Sequence, residues 1–371
     1  MRAGHYYLYK DKLPVGFLGL VDDIVGITEA GFKAQQLNAF INLKSAEKTL
    51  QFGVSKCKSM LISKKKENVP DNDLMVDTWE VNYEENKQTG KVCLVEKFNG
   101  QTKIKQTNEQ MYLGFVISST GNNMANINQL KKKSIGVIRK IINKLNNLNL
   151  ENYYFECSMI FMNAILRPSI LYACESYYNL KEYELRQIER IEENYLRKVL
   201  KTSKGCPIVQ IYLEMGHTPA RHKIQKTRLL FLQYILQQSD DSKINQFLKL
   251  QFEQPTRGDW GSTCIQDLKQ LGINESFEEI KLMTKNKFTK ILKEKMMKNA
   301  LIYLTGKQKN KGKEIQYTSI EMAEYLLPST SDISVDTKRK LFSVRNKMAD
   351  IPANFQDQIC GEAENMKHLY E

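Results

Sequence analysis

Missing from this 371-residue sequence are an apolar run long enough to cross a bilayer and a secretory signal at Met1. Both absences argue against a membrane-spanning or exported chain. Proline is scarce, at 8 residues, and with 42% hydrophobic and 26% charged positions the chain reads as globular rather than disordered. No CxxC pair occurs among the cysteines Cys57, Cys93, Cys157, Cys174, Cys206, Cys264 and Cys360. Their odd number and wide spacing point to reduced thiols in the cytosol or nucleus and exclude a disulfide scaffold. No solenoid period recurs, so a repeat array is excluded as well.

Acid is also in short supply. Against 42 Asp and Glu stand 55 Lys and Arg, a formal net charge of +13 with a pI near 9.2. That balance favours a polyanionic partner, because each Lys or Arg set against a phosphate releases counterions. An anionic membrane surface would fit the charge equally well, but nothing in the sequence inserts into one, and nucleic acid leads. The length allows two or three domains with a sizeable core.

Residues 15–21 and 24–28 are apolar, β-branched runs joined by two residues, which predicts a tight hairpin. Apolar spacing of three and four then predicts a helix over 30–50, and “CKSMLIS”, residues 57–63, reads as a further strand on the same small sheet. Residues 64–90, with Pro70 and the run Lys64, Lys65, Lys66, read as an exposed connection. Strands resume with “VCLVEKF” and “MYLGFVIS”, followed by the turn signal “STGNN”. After that the period is helical nearly to the end. Over 126–148, Ile127, Leu130, Val137, Ile138, Ile141, Leu145 and Leu148 share one face, opposite Lys132, Lys133, Arg139, Lys140 and Lys144. Residues 153–173 predict a buried helix kinked at Pro168. Helices are also expected over 183–200, 218–238, 244–254 and 277–304, with a Pro/Ser-rich break at 327–332.

The segment “GFLGLVDDIVGIT”, residues 16–28, sets Asp22 and Asp23 side by side between apolar runs. Acids at a hairpin tip are ordinarily turn formers. Here the carboxylates repel one another beside a poorly solvated sheet unless a cation sits between them. A hard divalent ion such as Mg²⁺ fits that need, and a pair of such ions suits phosphoryl or nucleotidyl transfer.

The longer stretch “LGLVDDIVGITEAGFKAQQLNAFINLKSAEKTLQFGVSKCKSMLIS” resembles the acidic-pair region of reverse transcriptases from animal non-LTR retrotransposons, with the helix and lysine-bearing strand that follow it. Later segments resemble the same family in order. “YLGFVISSTGNNMANI” is similar to its primer-grip hairpin leading into the thumb. “NAILRPSILYACESYYNL” and “DWGSTCIQDLKQLGI” resemble blocks of its helical C-terminal region, and “LFSVRNKMADIPANF” the segment before its terminal Cys/His knuckle.

The resemblance implies that Asp22 is the principal metal-ligating carboxylate and Asp23 the secondary acid of a polymerase centre. In that family a primer 3′-hydroxyl attacks the α-phosphate of a deoxynucleoside triphosphate, with two Mg²⁺ ions on the entering and leaving oxygens. Lys56 in “SKCKS” matches the family's lysine, which would protonate the departing pyrophosphate. On a strand Lys58 would share its face, and two solvated surface lysines are the competing reading. Tyr112, Leu113 and Gly114 match the primer-grip strand, where Gly allows close backbone approach. Lys132, Lys133, Arg139, Lys140 and Lys144 would be the thumb surface lying along a nucleic-acid backbone. A solvated face is the ordinary reading of such a pattern, but the acids that normally balance it are missing.

The sequence also departs from the family. Asp11 is the one acid before Asp22, in a Lys-flanked stretch before Pro14 that reads as a loop, so the third carboxylate of a two-metal site is not found. Fingers, nucleotide-positioning segment and endonuclease domain are missing from these residues. “DQICGEAENMKHLYE” keeps Cys360 and His368, but Asp357 stands where the knuckle has its first cysteine. Two ligands do not make a tetrahedral zinc site, so no structural zinc is expected. His5, His217 and His222 lack ligand-like spacing with cysteine and read as ordinary polar residues.

The expectation is therefore an α+β chain: a partial polymerase palm with primer-grip hairpin over 1–120, a helical thumb over 121–204, and a helical C-terminal region over 205–371 ending in a degenerate knuckle. The implied function is that of a truncated reverse transcriptase, by family an RNA-directed DNA polymerase but inactive as this chain alone. The competing class is a non-catalytic nucleic-acid-binding or interaction protein derived from one. Implied with it are weakly held Mg²⁺, RNA or an RNA/DNA primer–template as partner, no membrane, and a separate chain supplying the missing half.

Overall fold

In a computed structural model of the chain the described residues are 7–8, 13–14, 17–20, 23–27, 34–39, 41, 56–62, 74–86, 91–148, 150, 153–202, 205–255, 258–309, 319–328 and 333–345. Two compact units form, Met1–Asn126 and Ile127–Glu371. The first carries the strands and the second is helical, so the fold is α+β in the broad sense.

In the first unit β1 (Tyr7–Leu8) pairs antiparallel with β2 (Leu13–Pro14), and β3 (Phe17–Leu20) with β4 (Asp23–Gly26). The expected tight hairpin is present, with Leu20 opposite Asp23 and two residues between the strands. Residues 34–39 form α1, whose buried Leu37 lies against Gly26 of β4. The expected strand over 57–63 shrinks to β5 (Lys58–Ser59). Residues 75–86, expected as part of an open connection, are β6 (Met75–Asn86), paired with β7 (Lys91–Lys103) in a long antiparallel hairpin. The reason is local: Trp79, Val81 and Tyr83 alternate with Glu80, Asn82 and Glu84, a period of two whose polar half supplied the charge that suggested a loop.

Where β6 begins, the side-chain amide of Gln35 on α1 both donates to Met75 O (2.8 Å) and accepts from Met75 N (2.9 Å), and Asn38 Nδ2 adds a third bond to the same carbonyl. Ile104 N donates to Leu74 O (2.7 Å), which closes the hairpin's base. The chain then returns as β8 (Lys105–Gln106), parallel to β5. Among the described residues the strands pair only two by two, so β5 does not join β3 and β4 in the single small sheet expected. The returning β8 takes that partner position instead.

“MYLGFVIS” is two strands rather than one: β9 (Glu109–Tyr112) and β10 (Phe115–Ser118) fold back on each other with Tyr112 opposite Phe115. Leu113 and Gly114 form the turn with φ of 49° and 79°, the doubly positive pair that a two-residue type I′ hairpin needs. Glycine meets that need at no cost, whereas Leu113 stores strain.

Helix α2 (Met124–Asn147) crosses the boundary between the units. Next come α3 (Tyr154–Phe161), a π-helical turn at Met162–Leu166, and α4 (Arg167–Ile170). This segment corrects the expectation of a helix buried on all sides. The irregularity precedes Pro168, whose missing N–H breaks the ladder, and Ile160 and Ile165 stay 55% and 44% exposed. The remaining helices are α5 (Glu182–Leu200), α6 (Ile208–Glu214), α7 (Ala220–Leu236), α8 (Lys243–Glu253), α9 (Trp260–Leu271), α10 (Phe277–Leu282), α11 (Lys285–Lys309) and α12 (Val335–Arg345).

At the centre of the second unit is α7, against which α5, α8, α9, α10 and α11 all pack. Leu229, Leu232, Leu248, Cys264, Ile280, Phe288 and Leu292 from these helices form one buried cluster. The single helix expected over 277–304 is broken at Met283, whose backbone is extended. Gln233 Nε2 of α7 donates to Ile280 O (3.1 Å) and Met283 O (3.0 Å), satisfying carbonyls that the break strands, and Thr284 Oγ1 accepts from Lys287 N to start α11. Among the described residues no helix is long and apolar enough to cross a membrane.

Candidate nucleic-acid interface

Helix α2 follows the β9–β10 hairpin directly. Asn122 Oδ1 accepts from Met124 N (3.1 Å), covering a first-turn donor, and Asn126 Oδ1 accepts from Val116 N (3.1 Å), which ties the first turn to β10. Ile127, Leu130, Ile138, Ile141 and Leu145 are buried as their spacing predicts, while Val137 and Leu148, expected on the same face, are half-buried. Lys131, Lys132, Lys133, Arg139, Lys140 and Lys144 are all exposed.

No Asp or Glu occurs from Gln110 to Leu150, so α2 holds no acid within itself and its i,i+3 and i,i+4 positions offer its cations no counter-charge. Among the described residues Lys131 Nζ reaches the neutral amide of Gln187, at 3.4 Å, and no acid. These six cations are exposed, and among the described residues none forms an ion pair.

The other expected site residues are placed as follows. Tyr112 ends β9 and is half-buried, while Leu113 and Gly114 are the exposed turn rather than strand. Asp23 is the first residue of β4, and Asp22, Asp11, Cys360, His368 and His5 lie outside the described residues. Lys56 is exposed and precedes β5 instead of standing on it, so the shared strand face with the exposed Lys58 is not formed. Among the described residues no group of three or more His, Cys, Asp or Glu side chains could hold a metal ion. They do not supply a two-ion polymerase centre for Mg²⁺. Cys57, Cys157, Cys174, Cys206 and Cys264 are thiols. Burial pushes Cys174 up to about 11, which leaves it an inert core residue.

A second constellation had no signal in the sequence. Arg167, beside Pro168, sends Nε to Glu192 Oε1 on α5 (2.8 Å), Nη1 to Asn163 Oδ1 (3.2 Å), and Nη2 to both Thr218 O and His217 Nε2 (2.7 Å). His217 and His222 are both buried, which corrects their reading as ordinary polar residues. Because a guanidinium only donates, His217 Nε2 must accept, so the ring is neutral with its proton on Nδ1. Its ring stacks on Tyr212 with centroids 5.8 Å apart.

Burial, then the Arg167 charge, press the His217 pKa down to about 4. Burial alone would push Glu192 up, but the Arg167 charge and its hydrogen bond outweigh it and hold the carboxyl below its ordinary value. The side chains of Arg167, Glu192 and His217 are 10%, 0% and 3% exposed, so no substrate reaches them. The arrangement is a clamp that locks α4, α5 and the 217–218 segment together.

A related network begins one turn earlier on the same side of α5: Arg221 grips Glu189 and Glu182 while its guanidinium lies over the Tyr303 ring at 4.4 Å. Comparison of the chain with protein-family models, curated proteins and solved structures returns no match.

Proposed function

We propose that this chain binds nucleic acid through the cationic face of α2, as a polymerase thumb lies along a primer–template, and that it derives from a non-LTR reverse transcriptase, these 371 residues not polymerising by themselves. The observation that carries the binding is the six exposed cations on α2 inside a stretch with no acid at all. A row of this kind raises self-repulsion unless a polyanion lies against it, and its ligand is recognised by charge rather than by base sequence. Descent rests on the ordered sequence resemblance from the acidic pair through the thumb and beyond.

The absence of catalysis rests on inventory: an in-line two-metal displacement needs carboxylates from more than one strand, and the given residues offer Asp22 and Asp23 on one hairpin. Gel-shift binding of a short RNA/DNA primer–template at low salt tests the reading. Binding is expected for RNA and DNA of unrelated sequence, and no binding at 20–50 mM salt (roughly the range where electrostatic binding is strongest) would defeat it. In the same samples primer extension with Mg²⁺ or Mn²⁺ is expected to be nil, for the parent as for Asp22→Asn with Asp23→Asn. Extension that depends on Asp22 would restore the catalytic reading and require another acid, Asp11 first, to complete the site.

A further inference from the structure

The basic side chains in the first three turns of α7 differ sharply in what they meet. The helix contains no Asp or Glu. Arg221 is neutralised by Glu182 and Glu189, and Arg228 by Asp267. Lys223 and Lys226, half-buried and one turn apart, have no such acid among the described residues. Helix α11, which packs on α7, holds a single acid, Glu294, against eight lysines.

Lys293 is the α11 lysine whose charge reaches Lys226, and Lys290 stands one turn before it; both are exposed. Glu294 is turned about 100° round the helix from Lys293; it stands four residues after Lys290, but among the described residues no ion pair joins the two. Partial burial, and then the charges of Lys223 and Lys293, hold the Lys226 ammonium below the ordinary lysine range, so these groups feel one another directly. The fold thus gathers like charges where two other cations on the same helix were given partners. Burying lysine stems beside one another without a counter-ion costs stability, and a bound anion would remove that cost.

From this geometry we infer that Lys223, Lys226, Lys290 and Lys293 form a second phosphate-binding surface, separate in sequence from α2, that takes the phosphodiester backbone of the same nucleic acid. A membrane surface is disfavoured because the apolar side of α11, Phe288, Leu292, Met296, Ala300 and Leu304, is spent inside the protein core, and the exposed Ile302 stands alone about 180° round the helix from Lys293, which is not an insertable face. The ligand class rests on the nucleic-acid reading above, but the surface does not depend on α2.

The test compares the salt dependence of binding to a fluorescein-labelled single-stranded RNA of about 30 nucleotides, long enough to engage both surfaces, for the parent and three variants. One combines Lys223→Gln, Lys226→Gln, Lys290→Gln and Lys293→Gln. A second carries only Lys290→Gln and Lys293→Gln, exposed positions that leave the core untouched. The third is Lys132→Glu with Arg139→Glu and Lys140→Glu on α2. Each lysine withdrawn from a phosphate lowers the slope of log K against log salt by about 0.7–1, so the fourfold variant should fall by about 3 and the twofold variant by about half of that. Affinity at moderate salt should fall at least tenfold in the fourfold variant. Unchanged slope and affinity in both Gln variants would overturn the inference. It would equally be overturned if they bound RNA normally yet lost binding to phosphatidylserine vesicles. Weakened binding in the Gln variants with no effect of the α2 reversal would leave this surface standing and defeat the α2 placement, so the two failures are told apart.

Discussion

His217 must stay neutral for the Arg167 clamp to exist, because a protonated ring would turn its acceptor nitrogen into a second donor facing a guanidinium. His222 is likewise pressed down to about 4 by burial and then by Arg221. In the unfolded chain both take up a proton near pH 6.5, whereas in the folded chain they resist until about pH 4. Between those values the unfolded state binds more protons, so stability rises with pH and is lost on acidification. Each histidine should cost about 2–3 kcal/mol between pH 7.5 and 4.5. Urea unfolding at the two pH values checks this, and His217→Asn with His222→Asn should flatten the dependence. Equal stability of the parent at both would contradict the buried neutral rings.

Gly216 is the other residue with a sharp consequence. It holds φ of 62°, and an added Cβ would lie 2.4 Å from the backbone nitrogen of Met322, whose residue bridges to Met215. Gly216→Ala should therefore destabilise by about 3 kcal/mol or more, read as a lower urea midpoint. Neither residue announced itself in the sequence, since His217 meets Arg167 across 50 positions and Gly216 meets Met322 across a still longer stretch.

At the scale of elements, the helices with a clean apolar period were legible and the exceptions had specific causes. In α2 the apolar and charged faces coincide with the buried and exposed ones because nothing interrupts the period. Strand β6 was hidden by Glu80, Glu84 and Glu85, which counted as loop-like charge although they belong to a strand whose apolar and polar residues alternate over most of its length. The α10–α11 break was hidden because the apolar spacing runs on through Phe277, Ile280, Phe288 and Leu292, while the groups that stabilise the break sit on α7. Gln233→Leu should leave the Ile280 carbonyl without its side-chain donor, while Met283 O keeps Gln237 Nε2 (3.1 Å), and cost about 1–3 kcal/mol. Denaturant unfolding measures that change, and a neutral outcome would show that the break does not need α7. Of the candidate site, five of the six exposed α2 cations were named from the sequence and Lys131 was not, the hairpin at Leu113–Gly114 was legible only in part, and the Arg167 clamp not at all.

For the molecule as a whole, the excess of 55 basic over 42 acidic residues is unevenly placed. The buried Arg167 and Arg228 and the half-buried Arg221 are paired with acids, whereas the acid-free α2 carries six exposed cations. The proposed electrostatic binding to a polyanion rests on that distribution and is independent of the history of the acidic pair Asp22 and Asp23. The decisive measurement is the affinity of the parent and of Lys132→Glu with Arg139→Glu and Lys140→Glu for one RNA/DNA primer–template across a salt series. The parent should bind tightly at low salt with a steep slope. The triple reversal should weaken binding by roughly a hundredfold or more and flatten the slope by about 3, with little dependence on base sequence. Binding by the reversed protein equal to the parent's, or a parent that does not bind even at low salt, would contradict it.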